Sequence, residues 1–168
     1  FITGKDWMNI SPDRIFVTVH ESIPLGLDED SYNIWKKFLP EEKIKKGGIE
    51  DNFWGPTGNG GPCGPSTEIY VDGVEIWNIV FNQYISKKSR EESLKNGWEL
   101  TTQEIQGVDT GMGLERLAMV SQGVKNIFET DLFIPLCKKI EEEFVSTDQQ
   151  LKRIIADHIR GIVFMIAD

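Results

Sequence analysis

Runs of apolar side chains that alternate with polar ones predict a β-sheet in the first half of the chain. Residues 14–20 are rich in β-branched and aromatic side chains, which is typical of a strand. Two further runs, 67–71 and 74–81, flank Asp72-Gly73, a dipeptide that favours a two-residue hairpin turn. The hairpin register predicts three facing pairs: Val71 with Val74, Ile69 with Ile76, and Thr67 with Asn78.

The second hairpin strand has two chemically different faces. Successive side chains point to opposite faces of a strand, so the sequence separates an apolar set from a mixed set. The apolar set is Trp77, Ile79 and Phe81, and the mixed set is Ile76, Asn78, Val80 and Asn82. This predicts a core on one side of the sheet and a binding site on the other. In this register Glu68 and Glu75 fall on the Trp77 side, which requires that they lie at its edge or that this face is not uniformly buried.

Apolar residues at helical spacing predict four helices. The first covers residues 28–39, the second begins after Gly113, the third covers residues 132–144, and the fourth covers residues 151–166. Thr130 is a candidate cap for the third helix, although Pro135 favours a later start because proline lacks an N–H group. His158 lies on the apolar stripe of the last helix and is predicted to be a core histidine.

The remaining segments predict connections. Residues 40–49 are charged and contain glycine, which indicates a surface loop, and residues 86–103 indicate an exposed excursion with a helical turn. Residues 104–108 predict a short strand. Residues 109–113 predict a turn that opens the following helix.

Residues 55–65 contain five glycines and three prolines among eleven residues, so neither a helix nor a strand is expected to run through them. A flexible linker is one interpretation. The flanking runs are apolar or aromatic, which favours an ordered loop in which glycine lets the backbone approach a ligand closely.

Composition excludes several classes of protein. The 168 residues carry a formal net charge of −9, so a free-standing basic nucleic-acid groove is excluded and any RNA is expected to be held mainly by residues elsewhere. Cys63 and Cys137 alone predict no disulfide framework and no zinc site. We find no apolar run long enough to span a membrane and no signal-like N-terminus, so a cytoplasmic location is expected.

A few side chains are candidates for chemistry. Asp109 is either a helix cap or a carboxylate that binds a ligand ammonium group. Arg116 is either a surface arginine paired with an acid or a clamp for phosphate. Trp54 is either a core residue or a ligand-binding residue that walls a small pocket or stacks on an adenine. Gly111 and Gly113 leave bare backbone near these residues, which suits an anionic nucleotide and a small amine.

Five blocks of sequence, in this order, resemble the catalytic domain of alanyl-tRNA synthetases, which are class II aminoacyl-tRNA synthetases. The blocks cover nearly the whole chain, and the fourth is similar to the family's class II motif 3. They are residues 51–54, residues 61–65 followed by 67–69, residues 75–81, residues 109–117 and residues 155–160; Ser66 departs from the family, many members of which have a cysteine there.

The resemblance implies an α+β fold, with an antiparallel β-sheet flanked by helices and incomplete at both ends. Residues 1–145 would form the C-terminal part of the catalytic domain, and residues 146–168 would start the helical tRNA-recognition region. Motifs 1 and 2, the editing domain and its zinc site would lie outside this chain. The isolated segment is therefore expected to be inactive, and its oligomeric state is not indicated.

The resemblance also implies substrates and their binding residues. Alanine would react with ATP and Mg²⁺ to give alanyl-adenylate, and the alanyl group would then move to tRNA(Ala). Alanine would be bound by Asn78, Asp109, Trp54 and Gly111. ATP would be bordered by Trp54, Ile76, Trp77, Asn78, Gly113 and Arg116, and Arg116 would be the catalytic residue that grips phosphate. A non-catalytic relative that binds a nucleotide or a protein, and a plain α+β scaffold, remain alternatives.

Overall fold

The computed structural model describes residues 1–23, 25–144 and 148–167. Its contacts divide the chain into two units, Phe1–Gly113 and Leu114–Asp168. The domain boundary predicted between residues 145 and 146 lies outside the described residues and stays a prediction.

Among the described residues, the first unit is built on a seven-stranded, mostly antiparallel sheet, which confirms the α+β class. The main path of the sheet runs β2-β1-β5-β6-β7, while β3 pairs in parallel with β1 and β4 pairs antiparallel with β5. The strands are β1 (Ile15–Ser22), β2 (Gly26–Leu27), β3 (Ile44–Gly47), β4 (Phe53–Trp54), β5 (Gly61–Val71), β6 (Val74–Ser86) and β7 (Leu100–Met112).

The predicted hairpin is confirmed at its turn. Asp72 and Gly73 both have positive φ angles, 51° and 83°, as a two-residue turn between twisted strands requires. Val71 lies opposite Val74, as the register predicts.

Beyond the turn the predicted register is wrong by one residue. A β-bulge lies between Ile69 and Tyr70 in the pairing, so Ile69 faces Trp77 and Thr67 faces Ile79. The bulge places Glu68 opposite Asn78. Glu75 pairs with Tyr70, whose hydroxyl donates to Glu68, so both carboxylates leave the apolar side to which the simple register assigns them.

The strand β5 passes through part of the glycine- and proline-rich segment, so a strand is present where none was expected. A side chain at Gly64 would overlap the main-chain oxygen of Phe81, so glycine is what allows β5 to approach β6 there. An irregularity in the ladder between Cys63 and Ser66 accommodates Pro65, which pairs instead with Phe53 of β4. The flexible-linker interpretation is therefore wrong for residues 61–65.

Replacing Gly64 by Ala is expected to lower the free energy of unfolding by about 2 kcal/mol or more, because the methyl group meets rigid backbone. Urea unfolding measures this change. Gly107→Ala is the matched control, since the described residues leave open space around Gly107. Equal stability of the two variants would contradict the close approach of β5 and β6.

Two short helices accompany this sheet. The helix α1 (Glu29–Trp35) is capped by Asp28 and ends before the predicted residue 39. The helix α2 (Arg90–Asn96) lies in the predicted excursion and starts with a capping box made by Ser89 and Glu92. The loop predicted at residues 40–49 contains β3, because its backbone pairs with β1 despite its charged sequence.

The second unit is helical, with α3 (Leu114–Gln122), α4 (Ile134–Glu143) and α5 (Gln149–Ala167). Phe133, Ile140 and Ala156 form its buried core. The regular part of α4 includes Pro135 in its first turn, as the alternative prediction states, and Thr130 does not cap it. His158 is exposed, so the prediction of a core histidine is wrong. Among the described residues, no helix is long and apolar enough to cross a membrane.

Candidate functional site

Polar side chains from three neighbouring strands share one side of the sheet, which we call the mixed face. Glu68 lies opposite Asn78, and Asn78 lies opposite Gly111. Asp109 lies opposite Val80, two residues along β6 from Asn78. Because residues two apart on a strand point the same way, Asn78 and Asp109 are diagonal neighbours on the mixed face.

Asp109 lies within β7, five residues before α3, so the predicted turn at residues 109–113 and the helix-cap interpretation are both wrong. Its Oδ1 accepts a hydrogen bond from the N–H of Thr110 at 2.9 Å. The hydroxyl of Thr110 donates to the main-chain oxygen of Asn78 at 3.0 Å. These contacts fix the carboxylate beside Asn78 while it stays exposed on the sheet.

The side-chain amide oxygen of Asn78 is a hydrogen-bond acceptor for which the described residues supply no donor. This atom, Oδ1, is buried. Buried polar atoms in native proteins are nearly always hydrogen-bonded, so an unpaired one marks a place where a ligand donor fits. With Asp109 adjacent, the mixed face offers two acceptors, one of them charged, to a cationic group.

A buried polar network holds Glu68 in place on the mixed face. Tyr70 and Thr18 donate their hydroxyl hydrogens to Oε2 of Glu68, at 2.8 and 3.2 Å. The amide of Asn52 donates to Thr18 Oγ1 at 2.8 Å and to the main-chain oxygen of Ser66 at 3.2 Å. Burial raises the pKa of the Glu68 carboxyl above its usual value, and these hydroxyl donors only partly oppose that shift.

Because the pKa of Glu68 is raised in the folded protein, its ionised form is disfavoured there relative to the unfolded chain. Stability from this group is therefore present at low pH and is lost as the pH rises through the folded pKa. We expect Glu68→Gln to gain stability relative to the wild type between acidic and neutral pH. Urea unfolding across that pH range measures the difference. Glu104→Gln, at an exposed site on β7, is the control; a pH-independent difference for Glu68→Gln would contradict this.

A cavity opens where β4 lies against β5. Its volume is about 370 Å³, and its lining includes Trp54, Gly55, Ser66, Asn78 and Arg90. Trp54 is 38% exposed, which suits the wall of a small pocket. Trp54 and Asn78 thus line one cavity, and the family resemblance predicts that these two residues share a ligand.

A family model described as tRNA synthetases class II (A) matches residues 1–168. The alanine–tRNA ligases of Sulfurovum sp. (strain NBC37-1), Christiangramia forsetii and Borrelia hermsii are 35%, 38% and 37% identical to this chain, over 99%, 95% and 100% of it. The chain belongs to the class II tRNA synthetase family. It spans 21% of the length of the first two relatives and 31% of the third.

The other residues predicted for the class II site do not all have side chains on the mixed face. Ile76 is buried in the bulge, and its main-chain oxygen accepts from the N–H of Gly113 at 3.2 Å. The indole of Trp77 lies on the face opposite Asn78, where it donates to Thr110 Oγ1 at 2.5 Å. Trp77 therefore offers only its main chain to a ligand on the mixed face. Arg116 belongs to α3 in the second unit.

Three further residues, which the sequence did not predict as site residues, lie at the candidate site. Glu68 is buried on the mixed face, Asn52 is buried beside Thr18, and Arg90 lines the cavity. For Glu68, the available signal was a carboxylate on the face predicted to be apolar. For Arg90 the sequence holds no local signal, because its partners lie about 40 residues earlier.

The described residues contain no group of three or more histidine, cysteine or acidic side chains that fits a metal ion. Mg²⁺ is typically held by one or two carboxylates together with substrate phosphates and water, so the Mg²⁺ that the class II resemblance implies would be bound together with ATP.

Proposed function

We propose that this chain forms the amino-acid-binding part of a cytoplasmic alanine–tRNA ligase, in which Asp109 and Asn78 hold the ammonium group of alanine. The observation that carries the proposal is the pairing of an anchored carboxylate with an unpaired buried amide oxygen on the mixed face. An ammonium group has three donors and a full positive charge, so it matches two such acceptors.

The reaction is adenylate formation followed by transfer to RNA. An oxygen of the alanine carboxylate bonds to the α-phosphorus of ATP, and the bond to the bridging oxygen breaks to release pyrophosphate. A ribose hydroxyl at the 3′ end of tRNA then attacks the alanyl carbonyl carbon, and AMP leaves. The substrate carboxylate is already a nucleophile at neutral pH, so the first step needs no side chain as a base. Binding and alignment are the contribution of this chain.

The small size of alanine is matched by Trp54 and Gly111. Trp54 walls the cavity that reaches Asn78, and Gly111 contributes no side chain opposite Asn78. A pocket of this kind separates alanine from glycine or serine by only about 1–3 kcal/mol per group. We therefore expect a full-length ligase to need proofreading by residues outside this chain.

The ATP side of the proposal rests on the family resemblance. Trp54 and Asn78 would border ATP with their side chains, Ile76, Trp77 and Gly113 would border it with main-chain atoms, and Arg116 would grip phosphate as the catalytic residue. Transfer to tRNA(Ala) requires basic surface that a chain of net charge −9 does not supply on its own.

Calorimetry with a non-hydrolysable alanyl-adenylate mimic tests the proposed function. The full-length protein is expected to bind the mimic, and Asp109→Ala is expected to lose the part of the affinity that depends on the alanyl ammonium group. A mimic in which hydroxyl replaces the ammonium group is the matched ligand control. A protein that binds both ligands equally, with or without Asp109, would be a non-catalytic nucleotide binder.

A further inference from the structure

The segment between β6 and β7 contacts the strand that carries Trp54 and donates hydrogen bonds to the backbone around it. Nη1 of Arg90 donates to the main-chain oxygens of Phe53 and Gly55, at 2.8 and 3.1 Å. Its Nη2 donates to the main-chain oxygen of Ile49 at 2.5 Å. One guanidinium group therefore holds the carbonyls on both sides of Trp54 and the start of the turn that leads to it.

Arg90 is itself fixed in place. It is the first residue of α2, whose start is set by the capping box between Ser89 and Glu92. From the same segment, Trp98 packs edge-on against Phe53, with ring centroids 4.8 Å apart. The sequence predicts this segment to be an exposed excursion, but two of its side chains contact the Trp54 strand.

The backbone beside Trp54 has little room to move in one direction. Gly55 has a φ angle of 74°, and a side chain at this position would lie 2.6 Å from the main-chain oxygen of Pro62. The other side of the segment faces the cavity shared by Trp54, Asn78 and Arg90. The three hydrogen bonds from Arg90 therefore hold the backbone from which the side chain of Trp54 extends toward the cavity.

We propose that Arg90 is a positioning residue for alanine, which acts by holding Trp54 against the amino-acid end of the cavity. This inference rests on the proposed function, because it assigns the cavity to alanine. Arginine suits the task, since its rigid planar fork reaches several carbonyl oxygens at once. Lysine has a compact charge at the end of a flexible stem, so it holds fewer of these carbonyls in place.

A double-mutant cycle in the full-length protein tests the proposal through alanine-dependent ATP–pyrophosphate exchange. Arg90→Ala is expected to raise the KM for alanine by about tenfold or more and to raise the KM for ATP by a smaller factor, because Trp54 also borders ATP in the proposed site. Arg90→Lys is expected to raise the KM for alanine by less. In a Trp54→Ala background, Arg90→Ala is expected to have almost no further effect on the KM for alanine, because the indole through which Arg90 acts is then absent.

Lys95→Ala is the control on the same helix, since Lys95 is exposed and its ion pair is with Glu91. If Arg90→Ala does not fold, the cycle is run with Arg90→Lys. Its effect on the KM for alanine is again compared in the wild-type and Trp54→Ala backgrounds. Additive effects of the Arg90 and Trp54 substitutions, or equal effects on the KM values for alanine and ATP, would overturn the positioning role. A wild type without alanine-dependent exchange would instead remove the proposed function, and this inference with it.

Discussion

Replacing Asp109 by Asn is expected to lower kcat/KM for alanine by about 100-fold or more. The substitution removes the negative charge that faces the ammonium group. The N–H of Thr110 holds Oδ1 of Asp109, and the same bond in the variant keeps the amide oxygen there. The NH₂ group then points toward the ligand, so a donor meets the donors of the ammonium group. Alanine-dependent ATP–pyrophosphate exchange by the full-length protein measures the loss.

Glu104→Gln is the matched control for Asp109→Asn. It neutralises an exposed carboxylate on the same strand and is expected to leave kcat/KM unchanged. Both variants are expected to unfold at the wild-type urea concentration, because both side chains are exposed. Equal activity of Asp109→Asn and Glu104→Gln would mean that Asp109 does not bind alanine.

Replacing Gly111 by Val is expected to weaken binding of the alanyl group strongly without loss of stability. Gly111 lies opposite Asn78, and within the described residues no atom lies within 4 Å of the position that a Cβ would occupy. The new side chain therefore fits the protein but projects from the mixed face into the space assigned to alanine. Because β-branched residues suit strands, the fold should tolerate it. Affinity for the alanyl-adenylate mimic, measured by calorimetry, is expected to fall by about 100-fold or more.

Gly107→Val is the control for this steric effect. Gly107 lies on the same strand and the same face, opposite Asn82, and the described residues also leave open space around it. The control variant is expected to bind the mimic as the wild type does. If Gly111→Val also binds it normally, then the ligand does not occupy the mixed face beside Asn78.

Local patterns predicted the hairpin, the helix after Gly113 and the long last helix, because each is specified by residues close together in sequence. The register beyond the turn was not predictable in this way. The bulge opposite Ile69 and Tyr70 depends on the burial of Ile76 and on where Glu68 and Glu75 can lie. Two carboxylates on an apparently apolar face were the sequence signal that the simple register fails.

Tertiary pairing also overrode local preference at the two glycine-rich segments. Composition predicts a loop or linker that includes residues 61–65 and a turn at residues 109–113. Residues 61–65 lie instead in a strand paired with β6 and β4, and residues 109–112 lie in a strand paired with β6. For the site, alternation alone predicted that Asn78 lies on the mixed face, and the family resemblance supplied its predicted role. The supporting contacts of Arg90 and Asn52 join residues distant in sequence, so no local pattern contains them.

A co-crystal structure of the full-length protein with the alanyl-adenylate mimic tests the central claim most directly. The ammonium nitrogen is expected about 2.7–2.9 Å from an oxygen of Asp109 and within hydrogen-bond distance of Oδ1 of Asn78. An ammonium group bound on the opposite face of the sheet, or an Asp109 carboxylate turned away from the ligand, would contradict the claim.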